Sequence, residues 1–316
     1  MKHMKIAVTM PVLAYHKTEL EKAAPEAAFY YGKDLEKLKE AEVILGNIRP
    51  EWVNQLPKLR WLQLNSAGAD AYCKPGVTPE DVQLTNATGA YGQALSEHML
   101  ALTLAMLKKL YRYYDNQKQG LWHDEGTVTS LKNAVVLVIG FGDIGKAYAR
   151  LVKAMGAYVI GVRRRHGEKP AEADEMGLME HLPELLARAD IVASVLPGTP
   201  ATTHLYDAKL FGAMKQGAYF INVGRGSAVV QKDLRAALES GHLAGAAVDV
   251  TEVEPLPQDD PLWHTPNMYI TPHIAGDFHL QATQDNIVHI EAANLRRYVA
   301  GEPLQNIVDR KTGYKK

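Results

Sequence analysis

The chain has 316 residues, more than one core usually serves, so about two domains of roughly 150 residues are expected, with a cleft between them. Its 35 Lys and Arg against 36 Asp and Glu give a net charge of −1, which excludes a global field drawing it to nucleic acid or anionic lipid and leaves small molecules as the expected partners. The one cysteine, Cys73, excludes an internal disulfide and a cysteine-based zinc site, and fits a reducing, cytoplasmic compartment.

The first residues, MKHMKIAVTM, lack the apolar stretch of a secretory signal because Lys5 interrupts it and Pro11 follows, and the residues before Met4 read as an appended remnant. Short apolar runs recur at KIAVTM (5–10), AEVILGN (41–47), LRWLQLN (59–65) and VQLTNAT (82–88), with helix-like sequence between them, which predicts βα units and a parallel sheet. Residues 96–119 then read as one long helix, with Ser96 as N-cap, a stripe of Leu100, Leu104, Leu107 and Tyr111, and Gly120 as the stop. Its most apolar stretch, residues 99–107, is about half of what a bilayer span needs and is closed by Lys108 and Lys109, so a buried helix and no membrane are expected.

From Leu131 the runs become nearly continuous: AVVLVIG (134–140), AYVIGV (157–162), DIVASVLP (190–197), GAYFINVG (217–224), LAGAAVDV (243–250) and MYITPH (268–273). Strands buried on both faces have this character. Helices are expected at 183–188, 207–215 and 232–240, the last stopped by Gly241, so six strands with crossovers make a doubly wound sheet. After Gly276, the positions of Ile287, Ile290, Ala293, Leu295 and Tyr298 predict a final long helix ending near Gly301, and the tail PLQNIVDR (303–310) is expected to dock back on the first domain.

Gly140-Phe141-Gly142-Asp143-Ile144-Gly145 closes the strand at 134–140 and opens a helix near Asp143. In that context the first glycine permits a tight turn, the second lets a pyrophosphate approach the backbone, and the third lets helix and strand pack closely, with the positive helix end facing the phosphates. The next strand ends at Val162, where a site for NAD would carry an acidic residue on the ribose diol. This chain has Arg163, Arg164 and Arg165 instead, which favours a 2′-phosphate and hence NADP over NAD, against the alternative of a solvated basic loop.

The segments NSAGAD (65–70), VIGFGDIG (138–145), VLPGTPATTHL (195–205), INVGRGSAVV (221–230), AAVDVTEVEPLP (246–257) and TPHIAG (271–276) together resemble the D-2-hydroxyacid dehydrogenase family over nearly the whole chain. The resemblance implies a two-domain α/β fold, each domain a parallel sheet with flanking helices. A Rossmann dinucleotide domain (98–286) is inserted into a flavodoxin-like substrate domain (1–97 and 287–316). It also implies cofactor contacts at Pro197, Val223, Gly224, Asp249 and Gly276, with Asp249 at the nicotinamide end. It places the carboxylate of Glu254 against the imidazole of His273, with Glu252 as the rival partner.

The chemistry asks for the same residues. Reducing a 2-keto acid needs a cation to hold the carboxylate and polarise the carbonyl, and a proton donor for the developing alkoxide. Arg225, after a strand and between Gly224 and Gly226, presents a planar fork that suits the first task. His273, after Pro272 at the same sheet edge, suits the second, and a carboxylate beside it would favour the protonated ring and fix its tautomer. Ser66-Ala67-Gly68 reads as an amide-rich turn able to bind the substrate carboxylate.

His98 beside Glu97, and His273 with His279, lack metal-site spacing, so no metal is expected. The favoured activity is reduction of glyoxylate, hydroxypyruvate or a related keto acid. The alternatives are a phosphoglycerate dehydrogenase-like enzyme, for whose regulatory domain the chain leaves no room, and a cofactor-sensing binding protein resembling the C-terminal-binding-protein corepressors, whose long disordered tails are absent here. Loops near Leu13, Tyr15, Tyr72 and Trp263 are expected to shape the substrate side-chain pocket. A homodimer is expected because the helix at 96–119 is more apolar than an exposed surface needs.

Overall fold

The computed structural model describes residues 4–310 and the backbone of residues 314 and 315, so the remnant suggested before Met4 lies outside the described residues. The chain divides into two units, Met1–Tyr91 with Asp277–Lys316, and Gly92–Gly276. The sequence pattern puts the crossings at 97/98 and 286/287. The observed ones lie just outside two helices that those cuts would have split.

The first unit begins with β1 (Lys5–Val8), α1 (Ala14–Ala23), β2 (Ala28–Tyr31), α2 (Leu35–Leu38), β3 (Val43–Leu45), β4 (Trp61–Gln63) and β5 (Gln83–Thr85). The five strands form one parallel sheet in the order β2-β1-β3-β4-β5, the flavodoxin-like winding. Strand β2, AFYY, escapes the apolar-run reading because it is an edge strand with no fully buried residue. One face of the sheet packs Ala7, Ile44, Leu62 and Leu84 against Leu38, Val53, Leu56 and Leu59. Tyr72 belongs to that core, only 6 % exposed, with its hydroxyl donating to the carbonyl of Ile48, so it is a packing residue and not a lining of an open pocket.

The second unit opens with α3 (Gly92–Leu107) and α4 (Leu110–Lys118), two helices where the sequence pattern predicts one. Lys109 between them is left-handed (φ 54°), and the amines of Lys108 and Lys109 reach the carbonyls of Thr129 and Glu125, tying the break to the segment that follows. Ser96 is no cap either. It lies buried inside α3 and donates to Gln93 O.

There follow β6 (Val135–Ile139), α5 (Asp143–Ala154), β7 (Tyr158–Arg163), β8 (Glu175–Leu178), α6 (Leu182–Leu186), β9 (Ile191–Ser194), α7 (Ala208–Gly212), β10 (Ala218–Asn222), α8 (Gln231–Glu239), β11 (Leu243–Val248) and β12 (Met268–Ile270). The sheet has seven parallel strands, ordered β12-β11-β10-β9-β6-β7-β8, one more than expected. The addition is β8, EMGL, another half-buried edge strand, whose Glu175 takes a two-pronged pair from Arg188. On one face Leu137, Ile160, Val192, Phe220 and Ala246 meet Leu186, Phe211, Leu234 and Leu238 of the flanking helices. Elsewhere α5 packs on α3, where the buried Tyr148 hydroxyl bonds Thr103 Oγ1 at 2.8 Å.

The chain then returns to the first unit with α9 (Gln281–Ala300), closed by left-handed Gly301, and the short strands β13 (Val308–Asp309) and β14 (Tyr314–Lys315). Helix α9 covers the sheet's second face. Asn294 Nδ2 donates to Gln63 Oε1 at 2.9 Å, and Tyr298 stacks on Trp61 with ring centroids 5.2 Å apart. The tail bridges antiparallel to Thr85 at Ile307 and buries Val308 in the core. Among the described residues no helix is long and apolar enough to cross a membrane.

Candidate active site

Parallel strands put all their carboxyl ends on one edge, and in the second unit that edge carries the loops after β6, β7, β9, β10, β11 and β12. The reversal of winding falls between β6 and β9, where open α/β sheets bind ligands. The loop after β6 is built for close approach. Gly140 is left-handed (φ 97°), and a Cβ there would lie 3.0 Å from the carbonyl of Val195. At Gly145 a Cβ would stand 2.2 Å from Gly140 O, so only glycine lets the first turn of α5 pack on the strand end. Gly142, the N-cap of α5, faces open space within 4 Å, leaving room for an anion at a positive helix end. A dinucleotide pyrophosphate therefore fits this loop.

The remaining loop residues mostly serve its shape. Gly140 and Phe141 both donate their N–H groups to Val162 O, and the buried Phe141 ring lies over Gly161, where a Cβ would be 2.5 Å from it. Asp143 sets its carboxylate against Gly92 at the head of α3. Ile144 is half-buried in the first turn of α5, and Pro197, after β9, accepts the Thr202 hydroxyl at 2.7 Å. Arg163, the last residue of β7, donates to the carbonyl of Gly167 and so braces the loop that follows, in which Arg164 and Arg165 are exposed.

Arg225 follows β10 in extended conformation, half-buried, with Nη1 donating to Gly224 O at 2.9 Å. The close approach that its flanking glycines allow is to neighbouring backbone: a Cβ at Gly224 would be 2.3 Å from Leu196 O, and one at Gly226 1.8 Å from Thr251 O. Val223 is buried and donates to Ser194 O. Asn222, fully buried at the end of β10, accepts from Gly224 N–H through Oδ1 and donates to Arg225 O through Nδ2. It fixes the backbone that carries Arg225. A buried amide directly before Val-Gly-Arg-Gly is the signal that sequence reasoning missed.

His273 Nδ1 lies 2.8 Å from Glu254 Oε2. Glu252, the rival partner, is engaged elsewhere, with Oε1 3.0 Å from His204 Nε2. His273 is left-handed (φ 56°), a conformation that costs free energy for a residue with a Cβ and persists only when its surroundings impose it. Asp249 imposes it. Its main-chain carbonyl accepts His273 N–H at 2.8 Å, and its buried carboxylate takes the Thr271 hydroxyl at 2.6 Å and the N–H groups of Ile274 and Ala275 at 3.0 Å each. His98 Nε2 lies 3.1 Å from Thr271 Oγ1, extending the network to α3. Thr271 and His98 are thus supporting residues that the sequence pattern did not mark. Gly276, half-buried, ends the turn and the unit. Among the described residues no cluster of His, Cys, Asp and Glu is arranged to hold a metal ion.

In the first unit, the turn after β4 has its carbonyls occupied. Ser66 O accepts Ala87 N–H, Ala67 O accepts Asn86 Nδ2, and Gly68 O accepts the Ser66 hydroxyl. Among the described residues no acceptor meets the N–H groups of Ser66, Ala67 and Gly68, the polarity an anion would meet. Leu13 and Tyr15, at the head of α1, are exposed. Trp263, in the second unit, is also exposed and donates its indole N–H to Pro257 O.

Residues 100–275 match the family model described as "D-isomer specific 2-hydroxyacid dehydrogenase, NAD binding domain". A glyoxylate/hydroxypyruvate reductase A of Serratia proteamaculans is 33% identical over 258 residues, covering 78% of this chain and 79% of that protein. The crystal structure of a D-isomer specific 2-hydroxyacid dehydrogenase family protein from Aeromonas salmonicida superposes with a TM-score of 0.87 at 33% identity, covering 98% of this chain and 100% of the other. An NADPH-dependent glyoxylate/hydroxypyruvate reductase from Sinorhizobium meliloti, solved in complex with NADP and sulfate, gives 0.84 at 27% identity, covering 98% and 100%.

Proposed function

Because the chain belongs to the D-isomer specific 2-hydroxyacid dehydrogenase family, we propose that it reduces a small 2-keto acid of the glyoxylate and hydroxypyruvate class to the D-2-hydroxy acid, with NADPH preferred over NADH. The observation that carries this reading is the 2.8 Å contact of Glu254 with His273 Nδ1, on a turn that Asp249 pins.

Nδ1 faces the carboxylate, so Nε2 is the nitrogen left to serve a substrate. As imidazolium, His273 donates the Nε2 proton to the alkoxide that develops at C2, while Glu254 stabilises the charge and fixes the ring. Arg225 holds the substrate carboxylate and polarises the carbonyl. A bound nicotinamide supplies the two electrons and one hydrogen that reach C2. The residues of the loop after β6 would hold its pyrophosphate, and those of the Asp249 turn would meet its nicotinamide end.

Two structural neighbours solved with NADP and NADPH, and the exposed Arg164 and Arg165 beyond β7, support the preference for the phosphorylated cofactor. Trp263, exposed in the same unit as His273, is offered to the substrate's own side chain. The experiment is a panel of keto acids with NADPH, read by fluorescence decay, on the unmodified chain and on His273→Ala. Turnover of glyoxylate or hydroxypyruvate is expected, falling by about 10²–10⁴ in the variant with cofactor affinity nearly unchanged. No turnover across the panel would favour a cofactor-sensing binding protein, and an active His273→Ala would remove the proton relay.

A further inference from the structure

Glu254 and His273 are both well exposed, with side chains 38% and 52% accessible, and an ion pair in that setting contributes little unless the segments carrying it are held still. The segment carrying Glu254 is held at both ends. Two residues before it, Glu252 sets Oε1 3.0 Å from His204 Nε2 and accepts the N–H of Gln231, the first residue of α8, on Oε2 at 3.1 Å. Six residues after it, Asp260 accepts the side-chain amide of the same Gln231 at 3.0 and 3.1 Å. Thr251 completes the frame. Its N–H donates to Glu254 Oε1 at 3.0 Å, and its carbonyl lies against Gly226, whose missing Cβ would be 1.8 Å away. His204 also donates its backbone N–H to Ser227 O at 2.8 Å, so one residue, through its main chain and its ring, links the turn after Arg225 to the segment of Glu254.

We propose that Glu252, clamped by His204 and the first residue of α8, is a positioning residue that holds the carboxylate of Glu254 at Nδ1 of His273. This rests on the reading of Glu254 and His273 as the proton relay. Nothing in the clamp touches the substrate. It acts by keeping the carboxylate within hydrogen-bond distance of the ring while both are open to water. The titratable and charged groups on the elements around the pair are Glu252, His204 and Asp260 in the clamp, Asp249 beneath the His273 turn with His98 of α3 3.8 Å from it, and Arg225 on the adjacent loop.

The test is the pH dependence of keto-acid reduction in Glu254→Gln, Glu252→Ala, Glu252→Gln, His204→Gln and the double variant Glu252→Ala/Glu254→Gln. In Glu254→Gln the ring loses its stabilising charge, so the fall in rate at high pH is expected at lower pH. Glu252→Ala should move the same limb in the same direction and cost about tenfold in turnover, within the range for groups sharing one network. Glu252→Gln, which still accepts from Gln231, should recover most of that loss, and the double variant should be no worse than Glu254→Gln alone. His204→Gln, at an exposed side chain, gives a smaller shift of the same sign even where Glu252→Ala fails to fold. A purely structural role predicts lower thermal stability with an unmoved pH profile. Unmoved profiles in Glu252→Ala and His204→Gln beside a moved Glu254→Gln would overturn the clamp alone. An unmoved Glu254→Gln would overturn the relay, and the clamp's role with it.

Discussion

Glu291, on the buried side of α9, has both carboxylate oxygens enclosed and no hydrogen-bond partner for either among the described residues. Burial alone pushes its carboxyl well above the usual carboxylate range. A group raised in the folded state contributes fully below its unfolded value, and that contribution is lost as pH rises toward the folded one. Glu291→Gln removes the ionisation and keeps the shape. Its melting temperature is expected to match the unmodified chain in mild acid and to exceed it at pH 8, where the unmodified carboxyl is the one held from ionising. Thermal scans at the two pH values check this, and an equal difference at both would refute it. At the same scale, Gly140 and Gly145 were legible because each answers a local demand of the backbone. Asn222, Thr271 and His98 were not, because their roles exist only through partners brought close by folding.

The loop after β7 shows how an element divides labour among like residues. Arg163 spends its guanidinium on Gly167 O, and glycine at 167 leaves room for it, since a Cβ would lie 3.2 Å from the guanidinium nitrogens. The two arginines beyond it are exposed. Arg164→Ala/Arg165→Ala is expected to lower the efficiency with NADPH by roughly 10- to 100-fold and leave NADH nearly unchanged, from about 1.5–3 kcal/mol per hydrogen bond to a charged group. The preference of the unmodified chain should shrink at high salt, because exposed charges are screened. Initial rates with both cofactors at low and high ionic strength decide it, and equal losses for the two would mean that the arginines shape the loop without reading the phosphate. Elements were legible where strands are buried on both faces. The edge strands β2 and β8 lack that imprint, and the break at Lys109 depends on carbonyls 16 and 21 residues away from the lysines that bind them.

For the whole molecule, the exposed apolar surface of the second unit is concentrated on α4 and the segment after it. Leu110, Tyr111, Tyr114, Leu121 and Val128 are all exposed there, and Trp122 is 105% accessible. Surface of that kind fits a second copy of the chain, so light scattering is expected to give twice 34.8 kDa, with Trp122→Asp shifting the protein toward monomer. A monomer in the unmodified protein would overturn the proposal. The return of the chain at Asp277 has a consequence for how the protein is made. The strands β1 to β5 leave the ribosome first, yet the helix that covers Trp61 and Gln63 is translated only after the entire second unit. Order of birth and order of completion are therefore opposed: the later-made unit is contiguous and closes on itself, while the earlier one waits half-finished with an apolar sheet face bare. A stalled or truncated nascent chain would present that face to chaperones and proteases throughout the interval.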